Sequence, residues 1–150
     1  MTTPPQAPGQ VPPQRTGRVA WVVGFLTYIP IPFVHLVVAA VTMLVVGLLQ
    51  RKHGGIAARN GTRAANFGLT LLLVPLIIGA AMAIGIATGT PTSDGVRMQP
   101  WADGMMFGAI TIYLVMSLVS GIYAIAGTVW SGKGEEARLP AVPFIRAPRT

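Results

Sequence analysis

The sequence predicts an all-α integral membrane protein, a helical bundle in which a proline-broken first hydrophobic segment is followed by two transmembrane helices. Three observations predict it. Of the 150 residues, 52% are hydrophobic and only 10% are charged, against about a quarter charged in soluble domains. The apolar residues fall in long uninterrupted blocks, whereas a soluble domain of this size spreads them among polar residues at helix or strand spacing. The basic residues, which give a net charge of +7, sit in the tails and in one loop beside those blocks. That distribution is the one membrane topology requires, and it argues against nucleic acid as the partner.

The chain begins with a segment, residues 1–17, whose first part holds Pro4, Pro5, Pro8, Pro12 and Pro13 and no charged side chain up to Gln14. Such a stretch buries too little apolar surface to offset its ordering entropy. It reads as a disordered tail of polyproline character. It does not read as a secretory signal, because the apolar block after it is too long and no small-residue cleavage site follows.

The membrane domain is expected over residues 18–130. Its first apolar block runs from Val19 to Gln50. As one helix it would measure about 48 Å, more than the ~30 Å hydrocarbon core requires. The run Tyr28-Ile29-Pro30-Ile31-Pro32 breaks it, because each proline removes a donor and disfavours helix in the residue before it. A short piece over 19–29 and a helix over 32–49 result. The next segment, Gln50 to Asn60, is a basic loop with Arg51, Lys52, His53 and Arg59, turning at Gly54-Gly55. A second spanning helix is expected over 62–87, kinked at Pro75. A polar connection over 88–102 precedes the last span, 103–130, which has Trp101 and Trp130 at its ends. Interfacial aromatics belong in those places. A polar, basic tail closes the chain over 131–150.

Arginine and lysine placement sets the orientation. Arg51, Lys52, Arg59 and Arg63 mark one loop, and Lys133, Arg138, Arg146 and Arg149 mark the C-terminal tail, whereas the 88–102 loop has only Arg97 beside Asp94. A bacterial cytoplasmic membrane then has the 50–61 loop and the C-terminus inside and the 88–102 loop outside. The first block allows two readings. It crosses once, leaving Arg15 and Arg18 outside, or it dips in and returns, leaving every basic cluster inside; the second is the preferred reading and makes residues 1–17 a cytoplasmic tail.

Two stretches carry a family resemblance. One is Arg63-Ala64-Ala65-Asn66-Phe67-Gly68-Leu69-Thr70; the other is Gly134-Glu135-Glu136-Ala137-Arg138-Leu139-Pro140 followed by Phe144-Ile145. With the broken first block, residues 18–146 resemble a bacterial family of small, uncharacterised multi-span membrane proteins. That family is similar to the twenty-kilodalton subunit of the chloroplast inner-envelope protein translocon. The chain departs from it at Asn60-Gly61, where the family has a His-Ala pair, and at Leu139, where it has tyrosine. The resemblance implies a helical membrane domain, and at most a part in protein translocation or assembly.

Few residues suggest chemistry. Arg51, Lys52, Arg59 and Arg63 are candidate contacts for anionic lipid headgroups or a partner, and equally the plain marks of topology. Asn66 is a candidate interhelical hydrogen-bond donor, against an amide simply bathed in interfacial water. Gly85 and Gly89, Gly104 and Gly108, and Ser117 and Gly121 are small-residue pairs four apart, suited to helix contacts within the chain or between copies. Pro30, Pro32 and Pro75 are the helix breaks. Apart from Asp103 at the very start of the last span, no acidic or cysteine residue lies in any span beside His35, so it reads as packed or interfacial, and two histidines alone do not define a metal site. Glu135 and Glu136, beside Lys133 and Arg138, read as a local cap or salt-bridged segment. There is no cysteine, no Gly-rich phosphate loop and no nucleophile elbow. The expectation is therefore no enzyme, no catalytic or metal-ligating residue and no cofactor. The sequence points to a structural or accessory subunit of a membrane complex, or a homo-oligomer, in contact with the lipid bilayer. The alternative is a small channel or carrier for an uncharged or weakly charged solute, since broken helices often shape such sites.

Overall fold

The computed structural model describes residues 15–31, 34–97 and 99–147. The expected disordered tail up to Gln14 and the break at Pro32 lie outside the described residues. The described chain is mostly helical. Helix α1, Val19–Val22, tightens into a 3₁₀ stretch over Val23–Tyr28. Helices α2, Val34–Arg51, α3, Gly55–Ala87, and α4, Pro100–Gly132, follow. These three are long and apolar enough to cross a membrane, so the fold class is the expected one.

The element boundaries differ from the sequence reading in instructive ways. The basic loop shrinks to a turn of Lys52, His53 and Gly54, and α3 starts at Gly55 rather than near Thr62. The charged residues there lowered hydropathy without lowering helix propensity, since Ala57, Ala58 and Arg59 are strong helix formers. Gly54 and Gly55 have φ of 71° and 51°, a left-handed conformation that glycine adopts without strain. They let the chain reverse between α2 and α3 in three residues. Helix α3 runs through Pro75 without interruption. Helix α4 begins at Pro100, which fits the first helical turn because the missing N–H has no acceptor there. The 88–102 connection folds into a small antiparallel hairpin, β1 over Thr90–Thr92 and β2 over Gly95–Arg97.

Glycine lets α2 and α3 approach closely. A Cβ on Gly47 would strike the Gly61 carbonyl, and one on Gly68 would strike the Ala40 carbonyl. Close backbone approach of this kind replaces the hydrophobic drive that lipid cannot supply. The short first segment fills the space beside this pair. Trp21 and Ala20 are fully buried, and Trp21 lies flat against Gly127 of α4 with its ring 6.3 Å from that of Phe67. Phe67 in turn lies 4.7 Å from Tyr123. Leu36, Ala40, Met43, Ala64, Leu71 and Ala137 complete the buried cluster.

The contacts place the two ends of the first block together. Arg15 touches His53, Thr16 accepts a bond from Asn60, and Arg18 lies against Gly132. From there the segment passes inward until Tyr28 covers Gly121. The chain bends at Ile29 to Ile31, and His35 then lies beside Tyr113 of α4. Gly132 to Tyr113 is about 28 Å of helix. So α2 starts deep in the bundle and returns to the end where α1 began. The tip stops about 20 Å short of Pro100, leaving α3 and α4 to run on as a pair.

Candidate functional site

Most long-range polar contacts among the described residues converge at the end where α1 begins, α2 ends and α4 ends. Helix α3 supplies the platform. Asn60, Arg63, Asn66 and Thr70 recur at spacings of three or four, which puts them on one face. The segment after α4 lies along that face. The polar, basic tail expected after the last span is, over its described part, a strap held mainly by its backbone.

Asn60 is fully buried and joins three pieces of chain. Its Nδ2 donates to the Thr16 carbonyl at 2.7 Å and the Glu135 carbonyl at 3.0 Å. Its Oδ1 accepts from the Ala137 N–H at 2.8 Å. Asn66 repeats the device: its Nδ2 donates to the Ile145 carbonyl at 2.9 Å and its Oδ1 accepts from the Ile145 N–H at 2.8 Å. Its amide thus grips the strap rather than another spanning helix. An asparagine amide offers a donor and an acceptor side by side, which matches a peptide unit and needs no particular side chain on it. Arg63 donates to the Ala137 carbonyl at 3.1 Å, and Thr70 Oγ1 accepts from the Val142 N–H at 3.3 Å.

Charge reinforces the strap. Glu136 lies 2.8 Å from Arg63 and 3.8 Å from Arg59. The glutamate reaches across the fold rather than to its neighbours Lys133 and Arg138. Arg59 and Arg63 are therefore engaged within the chain, while Arg51 donates to the Arg146 carbonyl at 3.3 Å and Lys52 is exposed in the turn. Beside them a cleft of about 440 Å³ is bordered by Arg15, His53, Gly54, Gly55, Ile56 and Arg59. The guanidinium of Arg15 donates to the His53 ring at 2.7 Å. With Lys52 and Arg51 adjacent in the chain, basic side chains gather at this rim.

The small-residue pairs are scattered. Gly121 lies under Tyr28. Ser117 bonds within its own helix to the Tyr113 carbonyl. Gly85 is buried, and Gly89 packs against Val96 and Arg97 of the hairpin. Gly104 and Gly108 face open space, with nothing near the position of a Cβ. Pro30 stands in the bend between the 3₁₀ stretch and α2. Gly47, Gly61, Gly68 and Gly127, which the four-residue spacing did not single out, are closely packed as Gly121 is. His35 is nearly buried; its Nδ1 is 2.7 Å from the Ile31 carbonyl and its Nε2 is 3.4 Å from the Tyr113 hydroxyl. Among the described residues no three of His, Asp and Glu converge.

The strap and the platform both fall within one family model, that of the magnetosome magnetite crystal formation protein family, which matches residues 14–146. The chain belongs to that family. It is a bacterial family of small membrane proteins, as the motifs suggested, and no likeness to the chloroplast translocon subunit is shown. No curated protein and no solved structure matches the chain. The family match covers every element described above, from the Thr16 contact to the end of the strap at Arg146.

Proposed function

We propose that this member of the magnetosome family is a non-catalytic accessory subunit of the magnetosome membrane, which organises that membrane during magnetite crystal formation. The observation that carries the reading is the family match across residues 14–146. The fold supports it: three apolar helices anchor the chain, and its polar groups are spent on holding its own segments together. In this reading the basic end faces the cytoplasm, the first block is re-entrant, and both described ends lie on the cytoplasmic side. The charge bias and the shared location of Arg15, Arg51 and Arg146 favour it. Arg15, Arg51 and Lys52 then meet anionic headgroups or a partner subunit.

Deletion of the gene in a magnetite-forming host tests the proposal. The expected result is crystals of altered size or number, restored by the intact gene, with a fluorescent fusion at the crystal-bearing membrane. Unaltered crystals, or a fusion spread over membranes without crystals, would overturn it. A channel for an uncharged solute has the broken first block in its favour, but Trp21, Leu36, Met43 and Phe67 are packed in one buried cluster, which leaves the bundle filled where the first block joins it. A role in protein translocation or assembly rests on the motif resemblance alone.

A further inference from the structure

We propose that the strap loop Leu139 to Ile145 is an interfacial anchor, a non-helical segment whose Val142 and Phe144 enter the boundary layer of the bilayer beside α3. Its depth is the first argument. The last charged residue of α3 is Arg63, and from Ala64 to Ala87 there is none. That is about 36 Å of helix, close to the span of a hydrocarbon core with its margins. Val142 is bonded to Thr70, which lies seven residues and about 10 Å inward from Arg63. The loop then turns back, so that Ile145 is bonded to Asn66 and Arg146 to Arg51. It descends and returns within the ~5–10 Å layer that interfacial segments occupy.

Composition is the second argument. The segment reads Leu-Pro-Ala-Val-Pro-Phe-Ile between Arg138 and Arg146. Leu139 and Ala141 pack on the core cluster, whereas Val142 and Phe144 are each 47% exposed. Apolar side chains at the tip with arginines at both rims match a segment dipped into lipid, the guanidinium groups staying among headgroups.

The third argument is that the backbone is prepared for such a place. Irregular chain at membrane depth survives only where its polar groups are met. From Pro140 to Ile145 the two prolines carry no N–H. Of the four others, three are bonded, Val142 to Thr70, Phe144 to the Val142 carbonyl and Ile145 to Asn66, and only the Ala141 N–H has no partner among the described residues. Asn66 also satisfies the Ile145 carbonyl. Three of the four loop N–H groups are thus met within the chain, which suits the boundary layer, where water still reaches the remaining backbone groups.

The chain contains no cysteine, so single-cysteine variants of the full protein test this directly. Val142→Cys, Phe144→Cys, Lys133→Cys and Leu76→Cys are labelled with an environment-sensitive fluorophore in phosphatidylcholine and phosphatidylglycerol vesicles. The expected result is blue-shifted emission at positions 142 and 144, shielded from iodide and quenched by shallow lipid-borne quenchers. The exposed position 133 should be water-like and position 76 fully lipid-like. Iodide access at 142 and 144 equal to that at 133 overturns the proposal. So does shielding without lipid quenching, which would mean cover by another protein surface. In an Asn60→Ala/Asn66→Ala background, emission at 142 should become water-like while position 76 holds its signal and reports an intact span. Undiminished shielding there would refute the platform as what holds the loop in place.

Discussion

The two ends of the bundle are built differently, although the same two helices run through both. At the strap end, α3 and α4 are covered by α1, α2 and the strap; Trp21, Asn60 and Ala137 are fully buried, and Gly47, Gly61 and Gly68 have backbone pressed on them. Toward the hairpin end, past the tip of the first block, Gly79, Gly104 and Gly108 face nothing, and Leu76, Ile77 and Phe107 are exposed. A groove of about 430 Å³ separates α3 from α4 there, lined by Val74, Ile78, Met105 and Ala109 among others. The difference teaches where specificity resides. In lipid, apolar exposure costs little, so a helix pair can be left open; order must come from close packing and satisfied hydrogen bonds. Both are concentrated where the first block folds back.

Substitutions that contrast the two ends should separate sharply. The largest effect is expected at tryptophan. Trp21→Ala empties the fully buried site against Gly127 and Phe67 and should cost about 3–5 kcal/mol, whereas Trp101→Ala at the exposed start of α4 should cost well under half of that. Reversible unfolding in mixed detergent micelles measures both, and equal losses would break the contrast. Glycine comes next and should differ in sign. Gly61→Ala drives a methyl onto the Gly47 carbonyl, at a cost of up to about 3 kcal/mol. Gly104→Ala meets open space and should stabilise the helix by about 0.5–1 kcal/mol.

Two predictions concern the strap. Asn60→Ala leaves the buried Ala137 N–H without its acceptor and should cost about 2 kcal/mol. Limited trypsin treatment should then cleave after Arg138 well before the wild-type chain is cut. Arg63→Gln is expected to have the smallest effect. The Arg63 and Glu136 side chains are 33% and 26% exposed, so solvent screens the pair and its loss should cost about 1 kcal/mol or less. The salt dependence of strap cleavage should weaken in that variant; a cost as large as that of Asn60→Ala would mean that charge, not the amide, holds the strap.

Much of the fold was legible in the sequence because hydropathy is a local property. The apolar blocks, the break near Pro30 and the glycine turn at 54–55 can each be read from a few consecutive residues. The start of α3 was misplaced because a charged stretch resembles a loop when only hydropathy is weighed, though its alanines and arginines favour helix. The polar stripe Asn60, Arg63, Asn66 and Thr70 was present at helical spacing. Its partner could not be read, because an asparagine that holds backbone leaves no complementary side-chain pattern in the segment it holds. The four-residue spacing of small residues selected Gly104 and Gly108, which meet nothing, and passed over Gly47 and Gly61, whose importance depends on two helices meeting face to face.

The sequence by itself determined that this protein lives in a bilayer, how many long apolar helices it has and which end is basic, since bilayer thickness and charge placement constrain one segment at a time. Only the tertiary structure decided that the first block returns to the end it started from, that Glu136 pairs with arginines on a distant helix, and that the C-terminal segment is a docked strap. Each of these depends on groups some tens of residues apart meeting at hydrogen-bond or van der Waals distance, a relation that no local pattern in the chain encodes.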